Sequence, residues 1–442
     1  MKYIFIVLAG LALVIPAKAQ QLLTLEDAIA AALKNNYDIL LSRNDSTSYA
    51  LNRYYSFGAF LPQVNGSASM VWNGNNQKLK FASRSSGKDS IVERNGVRTS
   101  NLNYGVSLSW TLFDGMKMFI TREKTYELER LGSLEVKNQM TNSIATVITS
   151  YYNIVRQKQQ LIAIQEQIGL DEERVQLADK KLSVGLGAKP ELLQARVDLS
   201  AQKTAQLQEL TLIAQLRDSL SQLIGFRNGS VYEVVDSIPL NMSLQYGDVA
   251  QHFEETNWSL LYASKNIDIA RLTVKEQRAG LWPTLQFNSA YSFGKTNNSV
   301  VVNANQPFYN QNTGFNYGFG LSVPILNGFN QRRLIKQAEL NVQYQQLVYN
   351  KLRSQVDVGI TNAFKDYELQ KQLLAMEQDN IALAEENVFI ATERLKKGVT
   401  TDLEVRQAQQ SLEDARNRLI AARYNTKVAE TKLLRLKGDL LK

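Results

Sequence analysis

The sequence predicts a mainly α-helical protein that also carries membrane-type β-strands and is written as one unit repeated twice. Three observations predict this class. Residues 115–184 and 328–397 contain no Pro and almost no Gly, and are dense in Gln, Glu, Lys, Arg, Leu and Ala. Ahead of each lies a run in which apolar and polar residues alternate with a period of two, the mark of a strand with two unlike faces. The two halves also match one another at constant offsets, which is the signature of an internal repeat.

The first residues read as an export leader. Met1-Lys2 is a short basic start, Ile4 to Ile15 is almost wholly apolar, and Ala17-Lys18-Ala19 forms a small-x-small cleavage site before Gln20. The apolar run is shorter than the ~20 residues a helix needs to cross a bilayer, so residues 1–19 are expected to be a cleaved signal peptide.

Residues 20–230 then form the first repeat: a helix, a hairpin over 63–113, a long helix over 115–184 and a helix over 190–225. Residues 231–442 form the second, with a helix, a hairpin over 284–325, a long helix over 328–397 and a helix over 401–438. At an offset of 221, Asp27 meets Asp248, Asn36 meets Asn257, Leu51 meets Leu272 and Pro62 meets Pro283. At an offset of 213, Gly115 meets Gly328, and Leu182, Gly185, Glu191, Gln194, Ala195 and Leu199 meet Leu395, Gly398, Glu404, Gln407, Ala408 and Leu412. The first copy therefore holds eight more residues between its Pro and its Gly.

In the hairpins, Leu102, Tyr104, Val106, Leu108, Trp110 and Leu112 alternate with Asn, Gly, Ser and Thr, and Phe315, Tyr317, Phe319, Leu321, Val323 and Ile325 do the same. Val64–Trp72 and Leu285–Gly294 are their partners. A soluble sheet on a core alternates identically. Lipid is favoured by the small uncharged polar face, by the aromatics crowding the apolar face, and by lengths near the ~10 residues of a tilted membrane strand. The stretches 73–100 and 296–312 are polar and rich in Gly and Asn, and read as solvent-exposed loops. Four strands cannot close a barrel, since membrane barrels have at least about eight. Open edges in hydrocarbon would leave backbone groups unpaired, so several chains must share one barrel.

Each long stretch spans roughly 105 Å as a helix of ~1.5 Å per residue, too long for a compact domain and suited to a coiled coil. Ile144, Val147, Ile148, Tyr151, Ile154, Val155 and Ile162 mark its narrow apolar stripe. Each is expected to turn back at Gly185 or Gly398.

Composition narrows the chemistry. The chain has one His (His252), no Cys, 50 Lys+Arg against 42 Asp+Glu and a net charge of +8. A Cys/His zinc site cannot be assembled, a Cys nucleophile is absent, and a Ser-His-Asp triad would have to be built on His252. His252 reads instead as a surface or packing residue. The basic residues are dispersed among acids, unlike a nucleic-acid footprint. Gly185-x-Gly187 lacks the preceding strand and third glycine of a dinucleotide site. The expectation is a protein without catalytic activity, cofactor, metal or nucleic-acid partner.

The opening Leu23-Thr24-Leu25-Glu26-Asp27-Ala28-Ile29, the Tyr151-Tyr152 pair, and the turns Lys181-Leu182-Ser183-Val184-Gly185-Leu186-Gly187-Ala188-Lys189-Pro190-Glu191 and Arg394-Leu395-Lys396-Lys397-Gly398-Val399-Thr400-Thr401-Asp402-Leu403-Glu404 carry a resemblance. Over its whole length after the leader, the chain resembles the TolC-like outer-membrane efflux proteins. The resemblance implies a homotrimer whose twelve-stranded β-barrel sits in outer-membrane lipid, four strands per chain, continued by a long α-helical barrel through the periplasm of a Gram-negative bacterium. It implies an exit duct of tripartite efflux or type I secretion, passive to small molecules such as drugs, working with a periplasmic adaptor and an inner-membrane pump. In the family the helical tips form a closed entrance that opens on docking, which casts Gly185 and Gly398 as adaptor-docking tips. Aspartate rings six and nine residues after the tip glycine narrow the family's pore. Here those positions hold Glu191 and Glu404, then Gln194 and Gln407, and Asp402 is the further acid that could contribute to a constriction. Read from the residues alone, these acids also suit the first turn of any helix, where the macrodipole favours them. The alternative to a channel is a soluble periplasmic coiled-coil adaptor or binding protein whose strands form a sandwich.

Overall fold

A computed structural model describes residues 21–81, 90–227, 229, 232–301 and 307–441. The expected leader, residues 1–19, lies outside the described residues. In chain order the elements are β1 (Gln21–Leu23), α1 (Leu25–Asn35), α2 (Tyr37–Tyr55), β2 (Gln63–Phe81), β3 (Ser90–Phe113), α3 (Lys117–Ser183), α4 (Lys189–Ile224), β4 (Tyr232–Val234), α5 (Tyr246–Ala250), α6 (Phe253–Thr256), α7 (Trp258–Ala279), β5 (Thr284–Asn298), β6 (Tyr309–Ser322), α8 (Asn330–Lys396) and α9 (Asp402–Lys437). Two short 3₁₀ turns, Ser56–Phe60 and Asp439–Leu441, complete the path.

The chain divides into two compact units, and neither coincides with a sequence half. One comprises residues 1–47, 131–264 and 347–442, the other 48–130 and 265–346. The long helices α3 and α8, each 67 residues, contribute to both units.

In the first unit, Ile144, Val147, Ile148, Tyr151, Ile154 and Val155 of α3 are buried together with Ala28, Ala32, Leu220 and Ile224. Ile162 departs from the expected stripe and is 48% exposed, because the buried face of α3 shifts to Ile164 beyond Val155. The Tyr151 hydroxyl donates to the Leu23 carbonyl at 2.7 Å and accepts the Val235 N–H at 3.2 Å, so one side chain ties α3 to the ends of both strands of the parallel β1–β4 pair. A second core joins Val356, Ile360, Ala363 and Tyr367 of α8 to Leu260, Ala429 and Leu433.

Two asparagines join helix ends. Asn36 accepts the N–H groups of Asp38 and Ile39, which starts α2, and its Nδ2 donates to the Leu223 carbonyl at the end of α4. Asn257 does the same between the Leu260 N–H and the Leu436 carbonyl at the end of α9. Each contact is possible because the adjoining helix stops at a left-handed glycine. A Cβ on Gly225 would collide with Asn35, and one on Gly438 with the Thr256 carbonyl oxygen.

The helix expected at the start of the second repeat is broken into α5 and α6. His252 sits at the break with φ +64° and its side chain 74% exposed, so it is a surface residue.

The second unit holds an antiparallel sheet in the order β2-β3-β5-β6. Its register separates two faces. One carries Val64, Met70 and Trp72 of β2, Leu102 to Trp110 of β3, Phe287, Tyr291 and Phe293 of β5, and Phe315, Tyr317, Phe319 and Leu321 of β6. The other carries Asn, Ser, Gly, Thr, Gln, Ala and Val71, with no charged residue between Asn65 and Asn73 or in the rows opposite.

Two sequence expectations are corrected here. Residues 73–81, 90–100, 296–298 and 309–312 are strand, not loop, because their polar residues are paired across a ribbon whose cross-strand hydrogen bonds do not require apolar side chains. β6 stops at Ser322, so Val323 and Ile325 lie beyond it; Pro324 has no N–H to continue a ladder. Within this unit, α3 and α7 are joined by Lys124–Glu276 at 3.0 Å and Lys265–Glu127 at 2.8 Å.

Candidate functional site: the two helix-turn tips

Both candidate tips lie in the first unit. At the end of α3 the Gly185 N–H donates to the Leu182 carbonyl at 3.1 Å, and the Leu186 N–H to the Lys181 carbonyl at 2.8 Å. At the end of α8 the Gly398 N–H donates to Leu395 at 3.1 Å and the Val399 N–H to Arg394 at 2.9 Å. This paired pattern is a Schellman motif and needs a left-handed residue, supplied by Gly185 at φ +77° and Gly398 at φ +70°. Leu186 and Val399, the residues after each glycine, are exposed. The returning helices start three or four residues later. Pro190 sits in the first turn of α4, where its missing N–H costs nothing.

The acids stand in unlike surroundings. Glu191 and Glu404 are each the third residue of a helix, and their N–H groups bond Ala188 and Thr401 at 3.1 and 3.2 Å. The Glu404 carboxylate pairs with Arg394 at 3.0 Å on an exposed surface. Asp402 instead faces inward, 3.7 Å from the Nε of Arg174. Burial pushes its carboxyl pKa up; Arg174 opposes that shift, while Glu191 and Asp198 add to it.

Arg174 is the centre of this region and is not marked by any sequence motif. Its side chain is 4% exposed. It ion-pairs with Asp198 of α4, donates to Gln409 of α9 at 3.0 Å, and lies 3.9 Å from Asp171 on its own helix. Arg406 of α9 reaches the same Asp198 at 3.2 Å. Burial also raises the Asp171 carboxyl, against Arg174 and the Gln167 amide. Gln167, Asp171 and Arg174 share one face of α3 at helical spacing. That polar run, beyond the apolar stripe of Ile144 to Val155, is the signal the sequence carries.

The structure therefore brings Asp402 and Glu191 to one cleft, of about 610 Å³ and edged by Gly398, while Glu404 turns to Arg394. Lys181, on the same cleft, donates to the Leu395 carbonyl at 3.3 Å and so links the two tips directly. Among the described residues no group of three or more His, Cys, Asp or Glu is placed to hold a metal ion, and no helix is long and apolar enough to cross a membrane. The arrangement can steer and hold charged groups.

Comparison with known proteins gives the same architecture. The chain is 23% identical over 432 residues to the outer membrane efflux protein BepC of Brucella suis, covering 94% of this chain and 86% of that one. It is 22% identical over 395 residues to the outer membrane protein TolC of Vibrio cholerae, covering 87% and 84%. A membrane protein of Pseudomonas aeruginosa of known structure superposes with a TM-score of 0.76 at 16% identity, covering 94% of this chain and 90% of that one. The model of the outer membrane efflux protein family matches residues 28–226 and 249–439. The chain belongs to the outer membrane efflux protein family.

Proposed function

We propose that three copies of this chain form the outer-membrane exit duct of an efflux or type I secretion system, each giving four strands to a twelve-stranded barrel. One observation carries this reading: among the described residues the sheet ends in two unpaired edges, β2 and β6, while between Val64 and Asn73 and in the rows opposite one face is apolar and aromatic and the other uncharged and polar. Edges of that kind are tolerated in hydrocarbon only when the barrel closes, and a single chain cannot close it. The helices α3, α4, α8 and α9 would extend the conduit into the periplasm as a helical barrel. The matched clasps at Asn36 and Asn257, and the matched turns at Gly185 and Gly398, support an internal repeat with boundaries near 20–230 and 231–442.

In this duct Glu191, Asp402 and Glu404 narrow the pore, and the Gly185 and Gly398 turns dock a periplasmic adaptor that couples it to an inner-membrane pump. A ring of carboxylates would favour cations there. Transport is passive and takes small molecules such as drugs.

The absence of Cys from the sequence gives a clean test. Ser67→Cys on β2 combined with Asn316→Cys on β6 should yield disulfide-linked trimers under oxidation. Monomers alone, across a series of β2/β6 register pairs, would overturn the shared barrel.

A further inference from the structure

The outward, apolar face of the sheet changes character at one end. Along its band, from Val64 to Trp72, Leu102 to Trp110, Phe287 to Phe293 and Phe315 to Leu321, no outward-facing residue is charged. Beyond the band the same alternation places Arg98, opposite Gly74, and Lys295, opposite Leu102. Lys295 lies 5.2 Å from the Tyr309 ring centroid, a cation–π arrangement that leaves the ammonium near the edge of the band. Further out, Lys78 and Lys80 fall on the same alternation of β2 as Trp72. Glu93, paired with Lys78, is the one acid facing them among the described residues; Arg94, opposite Gln77, falls on the other face.

A concavity of about 500 Å³ lies beside these residues, between Trp72, Arg98, Ser100 and Asn297; Arg98 is the one cation on its lining. It opens over Gly74, where a Cβ would meet nothing within 4 Å. Trp72 is 70% exposed, and Arg98 is exposed. An indole face, a guanidinium and two small polar side chains in one depression match a sugar ring that carries a phosphate. The guanidinium pairs with the phosphate oxygens, the ring packs on the indole, and Ser100 and Asn297 meet hydroxyls. A depression at the edge of a lipid-facing band is where the headgroup, and not the acyl chains, of a membrane lipid lies.

We propose that the concavity of Trp72 and Arg98 is a binding site for the phosphorylated sugar headgroup of an outer-leaflet glycolipid. The site rests on the barrel reading above, which makes this face the lipid-facing one. It gives each chain one such headgroup contact and sets the depth of the sheet in the bilayer.

The test uses full-length protein purified in detergent from outer membranes. Binding of bis-phosphorylated lipid A, of its dephosphorylated form and of phosphatidylglycerol is measured by native mass spectrometry. The wild type should retain lipid A in preference to both others. Arg98→Gln should weaken lipid A binding at least about tenfold, the loss of a charge-assisted contact. Trp72→Ala should weaken lipid A more than phosphatidylglycerol. Both variants alter exposed or rim residues, and their thermal melting should match the wild type. Equal affinity of wild type and the Arg98→Gln variant for lipid A overturns the site, as does equal affinity of the wild type for lipid A and phosphatidylglycerol. Failure of the barrel reading looks different: wild-type protein would then fractionate away from the outer membrane before any lipid is added.

Discussion

The two helix-turn tips are alike in backbone and unlike in charge. Both close on a glycine near φ +70° with the same pair of hydrogen bonds, and both place a glutamate third in the returning helix. Around that shared frame the partners diverge. At the sequence offset of 213, Arg174 corresponds to Asn387, Asp198 to Ser411, and Asp402 to Lys189. The first half supplies the buried cation with Asp171 and Asp198 beside it, and the second half adds Asp402 and Gln409. The two turns share a backbone, where geometry allows few solutions, and differ in the charges around it, where groups near one tip pair with groups near the other.

The sharpest way to break that comparison is to remove the cation. Arg174→Ala should cost about 3–5 kcal/mol, because Asp402 and the buried Asp171 lose the cation beside them, while Asp198 keeps Arg406. Asn387→Ala, at an exposed position, should stay within about 0.5 kcal/mol. Thermal unfolding in detergent measures both, and equal losses would mean the two tips are equivalent after all.

Glycine substitution should instead treat the tips alike. Gly185→Ala and Gly398→Ala each ask a residue with a Cβ to hold a left-handed conformation in open space, at a cost of about 1 kcal/mol apiece. The same change at Gly438 should be far worse, since its Cβ would strike the Thr256 carbonyl. A tip glycine as sensitive as Gly438 would show that the turn is packed against something further.

Asp402 gives the comparison a pH dependence. Its carboxyl titrates above the usual range through burial, so the folded protein holds that proton more tightly than the unfolded chain does. Stability from this group therefore falls as pH rises from the ordinary carboxylate value through the raised one, and stays lower above it. Asp402→Asn should raise the melting temperature at neutral pH, and the gain should vanish on acidification below about 3.9. A gain that persists in acid would assign the effect to something other than ionisation. Smallest of all, Glu404→Gln should change stability by less than about 1 kcal/mol, because the pair with Arg394 is exposed. Its expected effect is on single-channel conductance and cation selectivity in a planar bilayer, and unchanged values would remove Glu404 from the constriction.

What was legible in the sequence follows the range of the interactions involved. The alternation at Leu102–Leu112, the uninterrupted helical stretches and the glycine turns are local, and they correspond to β3, α3, α8 and the two Schellman turns. Family membership agrees with the resemblance read from the tip motifs, and leaves little room for a soluble periplasmic adaptor. The outer ribbon was hidden because Asn73–Gln77 and Arg94–Ser100 look like loop by composition, although their backbones pair. The Arg174 cluster was hidden because its partners stand 24 and 235 positions away. Asp402 and Glu191 could be named from spacing, but only the fold places them in one cleft and turns Glu404 away to Arg394.

The asparagine clasps carry a consequence for the order of assembly. Asn36 and Leu223 are 187 positions apart, and Asn257 and Leu436 are 179 apart, so each clasp closes within its own half of the chain. The β3–β5 pairing and the Arg174–Gln409 bond cross between the halves. A chain growing from its N-terminus can therefore seal the first clasp before the residues of the second exist, at nearly equal loop-closure cost for each. The pairing between halves does not need either clasp to open. In the folded molecule the long-range contacts thus read as two closed loops and a seam.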